Sequence, residues 1–305
     1  MKYTHEQLRT KSHAASRNES AKLDRSEAMV RDAIRGSKFE GIVDIFGKGS
    51  YKNNTNVRLN SDMDICVVYT PTFKYEIPEG DTPQEHNIVP KFEPYTFSMF
   101  KSELIELMKE KFGSDNVTSK NKCIHIKENT YHSEIDVVPS WYFREYKSKY
   151  SPLQYTEGIV LWSDQSERVI NFPIQHYQNG VEKNELTKRR YKRLVRIIKN
   201  IKNEMQESGY YDNPNITSFL IESLVYNMPD YNFMIESEYY DWNNIIMKFI
   251  VFVFTNTKED SNGCESWKEV SNQLPLMKNH KWTKKDVCDF SVRLFGHLEY
   301  DKKIW

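Results

Sequence analysis

Two aspartates open an otherwise apolar, β-branched run, "DMDICVVY" from Asp62 to Tyr69. Runs of this kind form strands, and side chains along a strand alternate between its faces. Asp62 and Asp64 therefore share one face. Two carboxylates that close repel, and without compensation at least one takes up a proton. A divalent cation removes the conflict. Mg²⁺ suits such a pair because it prefers hard oxygen ligands, often a few carboxylates plus substrate phosphates. Two such ions can activate an attacking oxygen and stabilise a leaving pyrophosphate.

The surrounding sequence extends this reading. Upstream, "FEGIVDIFGKGS" reads as a strand running into a turn at Gly49-Ser50. Glycine lets backbone amides approach a phosphate closely, and the serine hydroxyl adds a donor. A third carboxylate, Asp136, lies in "SEIDVVPSWYF", flanked by Ile135 and Val137. It completes the site if its strand lies beside the first. Glu134 shares its face and is the rival. A lone DxD or a lone Gly-Ser is commonly just a surface pair or a turn; their combination is far more specific.

The bulk of the chain limits the alternatives. Its 305 residues suffice for one large domain or two ordinary ones. Lysine plus arginine equal aspartate plus glutamate at 43 each, so the chain lacks the global basic excess of a general nucleic-acid binder. The longest apolar run, "NIIMKFIVFVF" from Asn244 to Phe254, contains Lys248 and is too short to span a bilayer, so it reads as a buried helix. The N-terminus has no signal-peptide core. Cys66, Cys123, Cys264 and Cys288 form no CxxC pair, so the expectation is reduced thiols in a cytoplasmic protein.

Periodicity organises the rest. Residues 14–36 read as one long amphipathic helix, with Gly36 as its C-cap. Residues 70–94 read as an irregular, proline-bearing insertion. "FSMFKSELIELMKEKFG" is a helix ending at Gly113, "CIHIKE" is a strand, and the strand holding Asp136 is expected to stop at Pro139. Near residue 185 the character turns helical. "NELTKRRYKRLVRIIKNIKNEMQESG" carries the apolar stripe Leu186, Leu194, Val195, Ile197, Ile198, Ile201 and Met205. "NITSFLIESLVYNM", "YYDWNNIIMKFIVFVFTNT" and "TKKDVCDFSVRLFGHLEY" continue the helical pattern.

The segment "GKGSYKNNTNVRLNSDMDI" resembles the nucleotidyltransferase superfamily that includes DNA polymerase β. With Thr55 and Val57 between GS and "SDMD", it looks most like the bacterial cyclic-oligonucleotide synthases (CD-NTases) of antiphage defence, relatives of cyclic GMP-AMP synthase and oligoadenylate synthetase. The resemblance implies an α+β fold: a polymerase β-like nucleotidyltransferase core with a mixed sheet, plus a C-terminal helical bundle in a two-lobed arrangement. The implied divisions are a long N-terminal helix packing across both lobes (1–36), a catalytic core (37–180) and a helical C-terminal domain (181–305).

The implied chemistry is condensation of nucleoside triphosphates (ATP, GTP, UTP or CTP) into a cyclic di- or trinucleotide messenger, with release of pyrophosphate. Asp62, Asp64 and Asp136 would hold two Mg²⁺ ions, with Mn²⁺ as a substitute. Gly49, Ser50, Lys199 and Ser218 would hold phosphates, Lys202 standing in reserve for Lys199, and Phe219 would stack on the donor base. The segment "FPIQHYQNGVEKNELT" is reminiscent of the same enzymes and reads as a connecting loop that offers His176, Asn179 and Lys183 to the cleft. No clustered cysteines or histidines mark a zinc ribbon in the helical half, so no double-stranded DNA activator is expected. A monomer without membrane attachment, with CBASS accessory proteins and a product-sensing effector as partners, completes the expectation.

Two readings compete with this one. A toxin-like nucleotidyltransferase acting on a tRNA 3′ end or a protein hydroxyl would keep the fold and change the acceptor. A catalytically silent binding module would keep the scaffold alone, against the presence of all three aspartates.

Overall fold

The computed structural model describes residues 1–14, 17–57, 63–151, 153–235, 240–278 and 280–301. Asp62 lies outside the described residues. The chain forms two compact units: one of residues 16–51 and 58–173, the other of residues 1–15, 52–57 and 174–305.

The first unit is built on a seven-stranded mixed sheet. Its strands are β1 (Val43–Lys48), β2 (Met63–Glu76), β3 (Val117–Ser119), β4 (Ile124–Ile126), β5 (Ile135–Tyr146), β6 (Tyr155–Trp162) and β7 (Arg168–Asn171). The order is β1-β2-β5-β4-β3, with β6 pairing β5 further along the same edge and β7 pairing β6. β2 and β5 run parallel, and the other pairs are antiparallel. Two helices, α2 (Arg17–Ile34) and α4 (Phe97–Phe112), pack on the sheet and on each other. Met63, Ile65, Val67, Ile135 and Val137 are buried on one face. Tyr69 and Trp141, further along the same two strands, place their rings against Phe100 of α4. Alternation puts Asp64 and Asp136 on the opposite face.

Several boundaries differ from the sequence reading for physical reasons. A separate helix, α1 (His5–Lys11), precedes α2, and Thr4 closes it with a capping box to Gln7. Residues 70–76 continue β2 rather than beginning an irregular insertion. The register against β5 shifts between Tyr69 and Phe73, and that bulge accommodates Pro71. β5 does not stop at Pro139. That residue lies between Val137, the last paired with β4, and Trp141, the first paired with β6. Its missing N–H falls where no neighbouring strand needs it.

The second unit is helical. Besides α1 it holds α5 (Pro173–Leu186), α6 (Tyr191–Glu207), α7 (Ser218–Asn227), α8 (Trp242–Thr257) and α9 (Lys284–His297). The segment expected as a connecting loop is α5, which opens on proline at the first helical position, where its fixed φ fits and its lost N–H costs nothing. Lys188 and Arg189 take left-handed φ of 51° and 61°, so the expected single helix from Asn184 is broken there. Leu186 consequently ends α5 and is exposed, while Leu194, Val195, Ile197, Ile198, Ile201 and Met205 form the buried face of α6. α8 buries Ile245, Ile246, Phe249, Ile250 and Val253 but exposes Lys248, Val251 and Phe254, so it is buried on one face only. Among the described residues no helix is long and apolar enough to cross a membrane.

Candidate active site

In the sheet unit the ladder itself assembles a row of polar side chains. Lys48 pairs with Asp64 across β1 and β2, Asp64 with Asp136 across β2 and β5, and Asp136 with His125 across β5 and β4. Residues directly opposite in adjacent strands share a face. The row therefore reads cation, carboxylate, carboxylate, imidazole. Asp136, not Glu134, stands in register with Asp64. Glu134 instead contributes its backbone carbonyl, which accepts from Met63 N at 2.9 Å.

Polar partners bracket the two carboxylates. His125 Nδ1 lies 2.9 Å from Asp136 Oδ1, and Lys120 Nζ lies 3.6 Å from the same oxygen. Burial pulls the Lys48 ammonium down, but the Asp64 and Asp136 carboxylates oppose it and its pKa is raised. The neighbouring thiol of Cys123 is pushed up to about 12, first by burial and then by the Asp136 carboxylate. Cys66, fully buried, is pushed to about 12 chiefly by the same desolvation. Both sulfurs are therefore kept as neutral thiols beside the acidic pair.

The turn at Gly49 and Ser50 opens a one-turn helix, α3 (Gly49–Lys52), straight after β1. Gly49 has φ +74°, and a Cβ built on it would overlap Asp64 Oδ2. Glycine is thus needed twice, for the left-handed backbone and for the approach to the carboxylate. Tyr51 fixes this turn to α2, its hydroxyl donating to Asp24 Oδ1 at 3.4 Å. Gly49, Ser50, Asp64 and Asp136 all fold within this unit.

Sequence reasoning missed Lys48, Lys120 and His125. The signal for His125 is the polar residue in the alternating strand "IHI"; Lys48 becomes visible only once β1 is registered against β2. Among the described residues no three His, Cys, Asp or Glu side chains converge as a ready-made metal cluster. The donor set that is described, two hard carboxylates beside a glycine-cleared space, nonetheless suits Mg²⁺.

The remaining residues fold in the helical unit. Lys199 is 2% exposed, and its ammonium donates to Thr55 O at 3.1 Å and lies 3.3 Å from Glu222 Oε2. Thr55 Oγ1 donates to the same carboxylate at 2.8 Å, and His176 Nε2 lies 3.0 Å from its other oxygen. Burial alone would raise the Glu222 carboxyl; Lys199, His176 and Thr55 overcome that and bring it down to about 2. Burial holds the Lys199 ammonium below its ordinary value despite Glu222.

Lys202 lies on the following turn of α6 and donates to Gln206 Oε1 at 2.9 Å. Ser218 is the exposed first residue of α7, while its neighbour Thr217 caps that helix. Phe219, half-buried, joins a ring cluster with His176, His280 and Trp282. Asn179 and Lys183 turn inward rather than lying in an open loop. Asn179 Nδ2 donates to Val270 O at 2.9 Å, and Lys183 pairs with Asp230 at 2.6 Å.

The family model for the cGAS/DncV-like nucleotidyltransferase C-terminal helical domain matches residues 178–299. The cyclic dipyrimidine nucleotide synthase CdnE of Cecembia lonarensis is 39% identical over 302 residues, covering 98% of this chain and 99% of its own. The chain belongs to the CD-NTase family. It is thus a nucleotidyltransferase of the cyclic-nucleotide synthase group. A cyclic dipurine nucleotide synthase of Elizabethkingia meningoseptica is 32% identical, over 98% of this chain and 100% of its own. The structure of Elizabethkingia meningoseptica CdnE cyclic dinucleotide synthase with GTP and Apcpp superposes with a TM-score of 0.81 at 30% identity, covering 98% and 100% of the two chains. The mixed sheet and helical domain expected for this CD-NTase are therefore both present.

Proposed function

We propose that this CD-NTase condenses two or three nucleoside triphosphates into a cyclic messenger, with Asp62, Asp64 and Asp136 as its Mg²⁺ ligands. The observation that carries the reading is the register of Asp64 against Asp136, with Gly49 cleared of any side chain beside Asp64. When bound, Mg²⁺, or Mn²⁺ in its place, would supply positive charge for the acceptor oxygen and the leaving pyrophosphate.

The chain's own residues do the rest. Asp136 orients toward the acceptor hydroxyl and is placed to take its proton. His125 and Lys120 hold that carboxylate in one orientation. The Gly49 amide and Ser50 hydroxyl bind phosphate oxygens, a role shared in this reading by Lys199 and Ser218. Phe219 stacks on the donor base, which tolerates different bases. Positioning and charge complementarity supply most of the rate. The division into an N-terminal segment (1–36), a core (37–180) and a C-terminal helical domain (181–305) is part of the reading, as are a cytoplasmic monomer, CBASS accessory proteins and an effector that senses the product.

The named relatives make dipyrimidine and dipurine products, so the bases are a separate variable. Mass spectrometry of the product from all four triphosphates with Mg²⁺ tests the proposal. A cyclic, phosphatase-resistant dinucleotide or trinucleotide supports it. Labelled tRNA or protein, with no small product, would favour the toxin-like alternative.

A further inference from the structure

Helix α6 buries three basic side chains and no carboxylate of its own. Lys192, Arg196 and Lys199 of α6 are 9%, 6% and 2% exposed, and the carboxylate that acts on Lys192 and Lys199 is Glu222, itself 4% exposed. Glu222 is already engaged by Lys199, His176 and Thr55. Arg196 donates to the backbone carbonyls of Ser12 and Asn54, which satisfy its hydrogen bonds without cancelling its charge. Buried charges are costly unless paired. Burial, with Arg196 adding to it, holds the Lys192 ammonium below its ordinary value.

A second observation points to the same place. Lys52 Nζ and Lys192 Nζ lie 5.6 Å and 5.7 Å from the centroid of one ring, that of Tyr177 on α5. Among the described residues neither ammonium has a carboxylate within ion-pair distance. Lys52 is exposed, Tyr177 is 40% exposed and Lys192 is buried at the same ring. Lys52 also closes the short helix that Gly49 and Ser50 open. Two lysines gathered on one ring, without a carboxylate partner among the described residues, suit a multivalent anion.

We propose that Lys52 and Lys192, spaced by Tyr177, form a binding site for the polyphosphate tail of a nucleotide, whether substrate triphosphate or the linear triphosphate-bearing intermediate. The site rests on the nucleotidyltransferase reading, and all three of its residues fold within the helical unit. Its ligand is recognised by oxygen charge and not by base. Affinity at this site should therefore be salt-dependent and shared by triphosphates of any base.

Calorimetric titration of inorganic tripolyphosphate into the full chain, in EDTA so that the acidic row holds no metal, tests the site directly. Wild type should bind, and the Lys52→Met, Lys192→Met double variant should bind at least about tenfold more weakly. Lys192→Arg should retain binding. The same melts show whether folding is intact: tripolyphosphate should raise the Tm of wild type and not of the double variant, whose own Tm should not fall, because Met keeps the packing and removes uncompensated charge. Equal affinity in wild type and double variant, or no binding by wild type, overturns the site. Cyclic product from a wild type whose lysines prove irrelevant leaves the proposed function standing. Lysine-dependent binding without cyclic product would sink the function and keep the site.

Discussion

Asp136 on β5 stands directly opposite Asp64 on the parallel strand β2, and no residue separates them in the ladder. Parallel neighbours in mid-sheet are ordinarily apolar. Here the row continues outward into Lys48 on one side and His125 on the other, so both ends of the acidic pair meet a partner. The fold keeps two carboxylates adjacent by bracketing them.

Lys48→Met should remove one bracket. The carboxylates would then repel more strongly in the absence of metal, lowering Tm, and Mg²⁺ would restore more of it than in wild type. Melts with and without Mg²⁺ measure this. An equal Mg²⁺ shift in both proteins would show that Lys48 does not share the electrostatics of the pair.

Gly49→Ala places a Cβ against Asp64 and a non-glycine residue at φ +74°. The backbone strain alone costs about 1–2 kcal/mol. The larger effect should be catalytic, since misplacing a reacting group by about 1 Å can cost on the order of a hundredfold in rate. Pyrophosphate release should fall by at least that factor while circular dichroism shows the fold retained.

The buried Glu222 gives an acid-stability signature. Its carboxyl is depressed from 4.5 to about 2. A depressed folded-state pKa contributes stability that is fully present above the unfolded value and lost as pH falls through the folded one. The helical unit should therefore lose this contribution between about pH 4.5 and pH 2. Glu222→Gln should flatten that limb in pH-dependent denaturation.

Lys199→Ala breaks the same network from the other side. Removing one partner of a buried pair typically costs about 3–5 kcal/mol. A thermal melt should show a drop of that order, partly recovered when Glu222→Gln is added. An undiminished Tm would show that the ammonium is not held as the geometry indicates.

Much of this was legible in the sequence, and the failures are physical. The polar residues entering apolar strands marked the acidic site because few strands tolerate them. The stripe from Leu194 to Met205 marked α6 because its period is helical. Pro139 misled because whether a missing N–H matters depends on which neighbour lies opposite, and β4 and β6 leave that position open. α5 was unreadable as a helix because Gly180 is its one buried residue, so it has almost no apolar stripe to detect. Lys48 was invisible for the same reason as Pro139's tolerance, and His125 showed only as the polar residue of "IHI": register across strands is a property of the folded sheet. Lys199 was legible as a basic residue on the right helix, but its burial against Glu222 depends on a helix one connection away.

The central claim is that the acidic row transfers nucleotidyl groups to make a cyclic product. Purified wild type and Asp64→Asn and Asp136→Asn variants, incubated with all four triphosphates and Mg²⁺ and resolved by mass spectrometry, test it most directly. The account predicts a cyclic di- or trinucleotide and pyrophosphate from wild type, and neither above background from the variants. A cyclic product made equally well by Asp64→Asn and Asp136→Asn, or none made by wild type, would contradict it.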